Sequence, residues 1–106
     1  MKRYDIHCAT LDPVIGSEMA KTRPVVIVSL DALNQRLGTV TVCPLTSQLH
    51  PDWKSRLPVR CGRQDADIAV DQIRTVSKSR LHKRIGSLTE HEAATLRRLI
   101  TEMYGE

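Results

Sequence analysis

Pro24-Val25-Val26-Ile27-Val28-Ser29-Leu30 predicts a β-strand that is apolar on both faces and therefore buried on both sides, as a central barrel strand is. Thr22-Arg23 lies directly before it, at the end of a long loop (12–23) that contains Gly16-Ser17-Glu18. A loop of this length in so small a chain is typical of a functional segment. An arginine at the mouth of a buried strand can meet a phosphate, because its planar fork donates two parallel hydrogen bonds.

The segments on either side predict a mainly β chain that ends in one α-helix. We expect further strands over 5–11, 39–46, 56–60 and 68–76, a short helical turn within 29–37, a loop over 47–55 and a turn over 62–65. Thr89-Glu90-His91-Glu92 has the pattern of a capping box, and an apolar stripe with helical spacing follows it, with Gly105 as the expected stop. These elements predict a small barrel of strongly bent antiparallel strands, closed by the helix.

Size and charge limit the classes of function. The chain has 106 residues, 41% of them hydrophobic, which predicts a single domain over 1–106. From Lys54 to Arg84 there are nine Lys or Arg and three Asp, so this stretch carries a net charge of +6. Such a basic stretch indicates either a polyanionic partner or a solvated basic face. No apolar run is long enough for a membrane helix or a secretory signal, so we expect a cytoplasmic protein without membrane contact.

The cysteines and histidines predict neither a disulfide framework nor a metal site. The three cysteines are widely spaced, with no C-x-x-C pair, and Cys8 and Cys43 lie in apolar strand-like runs. No pair of the four histidines has metal-ligand spacing. We therefore expect no metal and no cofactor, and we expect Cys8 and Cys43 to be small buried side chains.

Six motifs in order resemble those of the MazF/PemK/Kid toxins, the toxin halves of bacterial toxin–antitoxin pairs. The matching residues span about 5–85 and comprise Asp5-Ile6, Leu11-Asp12-Pro13, Gly16-Ser17-Glu18, Thr22 to Ser29, Pro44-Leu45-Thr46-Ser47 and Val70-Asp71-Gln72-Ile73-Arg74-Thr75.

The resemblance implies a fold, an activity and partners. The implied fold is a homodimeric SH3-like barrel of the CcdB/Kid/MazF type. The implied activity is sequence-selective, metal-independent cleavage of single-stranded RNA (mRNA), in many members leaving a 2′,3′-cyclic phosphate and a 5′-hydroxyl, which inhibits growth. The implied partner is a cognate antitoxin that covers the RNA groove, and the toxin–antitoxin complex would bind operator DNA through the antitoxin.

The resemblance also implies four catalytic residues. Arg23 matches the catalytic arginine of the family, although without the resemblance a surface ion pair with Glu18 would be the favoured interpretation. Thr46 matches the catalytic threonine, and Glu18 matches an acid that serves as general base or orients Arg23. Asp71 either takes part in acid–base work, as in Kid-like members, or contacts bases and holds loops. Kid-like toxins carry histidine at the position of Ser17 and arginine at that of Ala69, so their mechanism does not transfer whole.

Polar, basic and aromatic residues near these positions are the expected RNA contacts. The basic side chains set affinity through phosphates, and an unpaired base can stack on Trp53 unless that ring is a packed loop anchor. The expected RNA-binding residues are Lys21, Thr22, Ser47, Gln48, His50, Trp53, Lys54, Arg56, Gln72 and Arg74.

Two other functions stay open on the sequence. A CcdB-like toxin that poisons DNA gyrase shares the fold but acts through a C-terminal Trp-Gly-Ile tail, whereas this chain ends Met103-Tyr104-Gly105-Glu106. A non-catalytic RNA-binding module is the other alternative, against which the paired presence of Arg23 and Thr46 argues.

Overall fold

The computed structural model describes residues 1–11 and 22–105 of the chain. Within them the elements, in chain order, are β1 (Asp5–Thr10), β2 (Thr22–Ile27), α1 (Asp31–Arg36), β3 (Thr39–Thr46), β4 (Arg56–Cys61), β5 (Gln64–Ala69), β6 (Arg74–Ser77), β7 (Leu81–Ser87) and α2 (Glu90–Tyr104). The predicted mainly β fold with a C-terminal helix is confirmed. Neither helix in this part of the chain is long and apolar enough to cross a membrane.

The strands form one antiparallel sheet that curls around β3. Its order is β4-β5-β3-β2-β1-β7, and β6 also pairs with β3. β3 pairs with β2 along one edge, and along the other edge with β6 near its start and β5 at its end. A short 3-10 turn, Lys78–Arg80, joins β6 to β7, which pairs with β1. The sheet therefore bends back on itself, as the predicted barrel requires.

The apolar residues of β2 face two separate cores, which confirms that the strand is buried on both sides. Val25 and Ile27 pack inside the curl with residues of β1, β3, β6 and β7. Val26 packs on the opposite face with β4, β5 and Leu96 of α2. Burying a Val or Ile side chain contributes roughly 1.5–3 kcal/mol to the free energy of unfolding. A strand gains this on both faces only in the middle of the sheet, where β2 lies.

Helix α2 begins with the predicted capping box. Thr89 Oγ1 accepts from the Glu92 amide at 3.1 Å, and the Thr89 amide donates to Glu92 Oε1 at 2.9 Å. Leu96 is fully buried, and the apolar stripe of the helix packs on the core. The helix ends at Tyr104, so the predicted stop at Gly105 is confirmed.

The cysteines of the described residues are free thiols. Burial, with a smaller effect of the Asp71 charge, raises the pKa of the Cys43 thiol to about 12. A thiol with that pKa carries almost no thiolate at neutral pH and is not a nucleophile. Cys43 is the buried small side chain that was predicted, whereas Cys8 is only half-buried.

The prediction of one strand over 68–76 is wrong. β5 ends at Ala69, a 3-10 turn spans Val70–Gln72, and β6 begins at Arg74. β5 and β6 pair with different parts of β3, so the chain must bend between them. The amide of Val70 donates to the Ser55 carbonyl at 3.0 Å, which satisfies the backbone at the bend.

The start of β2 and the presence of β7 also differ from the sequence prediction. β2 begins at Thr22, so Thr22 and Arg23 belong to the strand and not to the loop, because β1 reaches far enough to pair with them. No strand was predicted at β7, which among the described strands pairs with β1 alone; most of its residues are exposed, Lys83 and Arg84 among them. Charged residues are usual on edge strands, and they hide the apolar alternation that marks a strand.

Candidate active site

The antiparallel register of β2 and β3 brings Arg23 and Thr46 together. The paired residues of the two strands end at Val25 and Pro44, and Arg23 and Thr46 each lie two residues beyond that last pair. On the outer sides of these strands, Ala9 of β1 pairs with Arg23 and Asp67 of β5 pairs with Thr46. Arg23 and Thr46 line the same surface cavity. Two residues separated by 23 positions in the sequence are thus held at one site by four strands.

Arg23 lies between two surface cavities. The larger has a volume of about 320 Å³ and is lined by Arg23, Pro24, Leu45, Thr46, Ser47, Gln48, Cys61, Gln64 and Ala66. The smaller, of about 190 Å³, is lined by Leu11, Arg23, Pro44, Gln72 and Arg74. Arg23 lines both, and its side chain is exposed to solvent. Arg23 is therefore accessible from both cavities.

The hydroxyl of Thr46 is oriented by the backbone after β3. The amide of Gln48 donates to Thr46 Oγ1 at 3.1 Å. Because this bond uses an oxygen lone pair, the hydroxyl proton remains available to an acceptor in the cavity. The Thr46 hydroxyl can therefore donate to an anion bound in the cavity that Thr46 and Arg23 both line.

Four of the predicted site residues form a separate cluster on the 47–55 loop and beside it. The rings of His50 and Trp53 stack with centroids 3.8 Å apart, and the Arg56 guanidinium lies over Trp53 at 4.7 Å. Arg56 Nε donates to Asp71 Oδ1 at 2.9 Å. The Arg56 side chain is only 6% exposed, which leaves little of it for contact with a phosphate. None of the four lines either cavity beside Arg23.

The charge state of Asp71 follows from this cluster. Burial acts to raise the pKa of Asp71, but hydrogen bonds from Arg56 and Ser55 and the Arg56 charge outweigh it and hold that pKa below its usual range. A general base works best with a pKa near the operating pH. Asp71 is therefore ionised at neutral pH and suited to holding Arg56.

Asp71→Asn should lower the free energy of unfolding by no more than about 1 kcal/mol at pH 7, because the pair is partly exposed and screened. The folded-state pKa lies below the ordinary value of 3.8, so this stabilisation is present above pH 4 and lost as the pH falls through the folded-state pKa. Urea unfolding of wild type and variant at pH 7 and pH 3 measures it, with exposed Asp52→Asn as control. A difference that stays constant down to pH 3 would contradict the ion-pair origin.

The described histidines make their contacts outside the two cavities. His7 and His82 meet between β1 and β7, where His7 Nδ1 lies 3.0 Å from the His82 carbonyl, and His91 is exposed on α2. With His50 stacked on Trp53, no histidine among residues 1–11 and 22–105 lines either cavity.

The other predicted residues fall in three groups. Ser47 and Gln48 line the larger cavity, and Gln72 and Arg74 line the smaller one. Thr22 and Lys54 are exposed and line neither. Glu18 and Lys21 lie outside the described residues. The structure adds Gln64, the first residue of β5, which the sequence does not single out because no motif surrounds it.

Comparison with known proteins identifies the family. The family model described as "PemK-like, MazF-like toxin of type II toxin-antitoxin system" matches residues 2–104. The chain belongs to this toxin family. It is 36% identical to Endoribonuclease EndoA of Bacillus subtilis, with 85% of this chain and 82% of the relative covered. It is 34% identical to Endoribonuclease MazF of Staphylococcus saprophyticus, with 85% and 79% covered.

Solved structures of PemK/MazF toxins share the fold. The Mycobacterium tuberculosis toxin MazF-mt6 is 26% identical and superposes with a TM-score of 0.80 over 94% of this chain and 95% of the other. The MazF of Deinococcus radiodurans, in a structure with MazE, is 22% identical with a TM-score of 0.81 over 99% and 96%. At that identity the second comparison supports the fold alone.

Proposed function

We propose that this protein is a MazF-type endoribonuclease toxin that cleaves single-stranded mRNA, selectively by sequence and without a metal, at the junction of Arg23 and Thr46. One observation carries the assignment: Arg23 and Thr46 line the same surface cavity, and Arg23 also lines a second one. The endoribonuclease relatives, at about 35% identity over most of the chain, support it.

Arg23 and Thr46 supply the stabilisation that the reaction needs. The 2′-hydroxyl loses its proton and attacks the adjacent phosphorus, and the bond to the 5′-oxygen breaks as that oxygen gains a proton. The products are a 2′,3′-cyclic phosphate and a 5′-hydroxyl. The Arg23 fork binds two phosphoryl oxygens as charge develops on them, and the Thr46 hydroxyl donates to one of them.

No histidine of the described residues lines either cavity, so another group must carry out the proton transfers. We assign to Glu18 the role of general base or of orienting Arg23, as its motif implies. Asp71 we assign to holding Arg56 and the 47–55 loop, since Arg56 and Ser55 already occupy its carboxylate. We propose that Gln72 and Ser47 contact the bases or the backbone of the RNA. We propose that Thr22, Lys21 and Lys54 contact RNA at the edge of the site.

Arg74 should strengthen RNA binding without selecting the sequence, because it lies beside Arg23 in the smaller cavity and phosphate contacts do not depend on the base. Arg74→Ala should weaken binding of all single-stranded sequences about equally. It should also reduce the slope of log K against log salt by about 0.7, the value for one phosphate contact on a single strand. Binding of a cleavage-resistant 2′-deoxy oligonucleotide at several salt concentrations measures both. An unchanged slope would show that Arg74 does not contact an RNA phosphate.

A cognate antitoxin and a second copy of the chain are the proposed protein partners. Among the neighbours, the Deinococcus radiodurans MazF is seen with MazE, and a mycobacterial endoribonuclease is seen with its cognate antitoxin. An acidic antitoxin segment that folds on binding would complement the arginines of the groove. Leu33 in α1 and the flanking residues Leu30 and Leu37, each about half exposed, are proposed apolar surface for the homodimer. We propose that operator DNA is bound through the antitoxin. We also propose a cytoplasmic location, because mRNA is the proposed substrate.

A further inference from the structure

The larger cavity extends from Arg23 and Thr46 to two glutamines from different parts of the chain. Gln48 follows β3, and Gln64 is the first residue of β5. Pro24, Leu45 and Ala66 form apolar wall between them. Apart from Arg23, no charged side chain among the described residues lines this cavity.

This lining suits a nucleobase better than a phosphate. A base has flat apolar faces and an edge that carries hydrogen-bond donors and acceptors, and unpaired bases expose that edge in single-stranded RNA. A glutamine amide offers one carbonyl acceptor and two N–H donors, and it can pair with two neighbouring atoms of a base edge. The volume of about 320 Å³ lies at the low end of the roughly 300–1,000 Å³ typical of ligand pockets, which favours a single nucleotide.

Both glutamines are held by backbone structure. Gln64 pairs with Cys61 across the β4–β5 hairpin, whose two-residue loop has Gly62 at φ 64°. Glycine at the first loop position is typical of a type II′ turn. This turn matches the twist of the two strands and fixes the register in which they pair. The backbone amide of Gln48 donates to Thr46 Oγ1. The backbone positions from which the two glutamine side chains extend are therefore fixed relative to the proposed phosphate contacts.

We propose that Gln64, together with Gln48, binds the edge of the RNA base immediately next to the scissile phosphate, so that Gln64 determines which base is accepted there. The proposal rests on the proposed function, because it takes Arg23 and Thr46 as the position of the cleaved phosphate. Gln64 is a specificity-determining residue in this account and has no part in bond breaking.

The test compares cleavage motifs from a random RNA pool for wild type, Gln64→Ala and Gln48→Ala. Gln64→Ala should lose the base preference at one position flanking the cut and keep it elsewhere. On the preferred substrate kcat/KM should fall roughly 5- to 100-fold, the range for one bidentate base contact. Changing that base should reduce cleavage by wild type and have little further effect on the variant, since the two changes remove the same contact.

Two further variants separate recognition from folding and charge. Gln64→Glu keeps the shape but removes the amide donors, and a carboxylate accepts from the cytosine amino group, so the preference should shift toward cytosine. Arg63→Ala, in the same turn but outside the cavity lining, should leave the motif unchanged. A purely structural role for Gln64 would not change the preferred base.

The outcomes distinguish this proposal from the one on which it rests. Identical motifs for wild type and both Gln64 variants, with RNA still cleaved, would overturn base recognition by Gln64 and leave the catalytic assignment intact. If wild type cleaves no RNA, the proposed function fails, and the base-recognition proposal fails with it.

Discussion

Arg23→Ala should lower kcat for RNA cleavage at least 100-fold while the protein stays folded. Arg23 lines both cavities, one of them together with Thr46, and in the proposed reaction its guanidinium stabilises the phosphorane. Removing one strong transition-state donor typically costs 10²- to 10³-fold. The side chain is exposed and outside both apolar cores, so its loss should change the midpoint of thermal unfolding little.

Two variants control for charge. Arg23→Lys keeps the positive charge but loses the two-pronged geometry, and its activity should lie between wild type and Arg23→Ala. Arg98→Ala removes an exposed cation from α2 and should cleave like wild type. Single-turnover cleavage of one defined oligonucleotide gives the rates, and near-normal cleavage by folded Arg23→Ala would contradict the assigned centre.

Thr46→Val should lower kcat by roughly 10- to 100-fold. Valine has almost the same shape, so the change removes the hydroxyl donor and the acceptor of the Gln48 amide but little packing. The loss should be smaller than for Arg23, because a neutral donor forms a weaker hydrogen bond to an anion than a guanidinium does.

Thr46→Ser, which restores the hydroxyl, should recover most of the activity. Thr41→Val is a matched control, because Thr41 lies on the same strand but bonds to Thr75 and lines neither cavity. Rates for all three variants come from the single-turnover assay. Equal cleavage by wild type and Thr46→Val would show that the hydroxyl has no role in the reaction.

The sequence was sufficient wherever a local pattern determines the structure. β2 is apolar on both faces because it separates two cores, and the capping box of α2 requires only four consecutive residues. The pairing of Arg23 with Thr46 came from motif resemblance, and the register of β2 and β3 gives it a physical basis.

Local sequence patterns could not predict the features that depend on contacts between distant parts of the chain. The bend at Val70–Gln72 exists because β5 and β6 pair with different parts of β3. Arg56 has the appearance of a free phosphate ligand in the sequence, and only the fold shows it paired with Asp71 and lying over Trp53. Gln64 enters the cavity through the pairing of β4 with β5, which no motif near Gln64 indicates.

The most direct test of the account is cleavage of a long single-stranded RNA by purified wild type and Arg23→Ala in excess EDTA, with the new ends analysed. We predict discrete fragments from wild type that end in 2′,3′-cyclic phosphate and begin with 5′-hydroxyl, and intact RNA with the variant. Intact RNA in both samples from folded protein would contradict it and favour a binding or protein-targeting role.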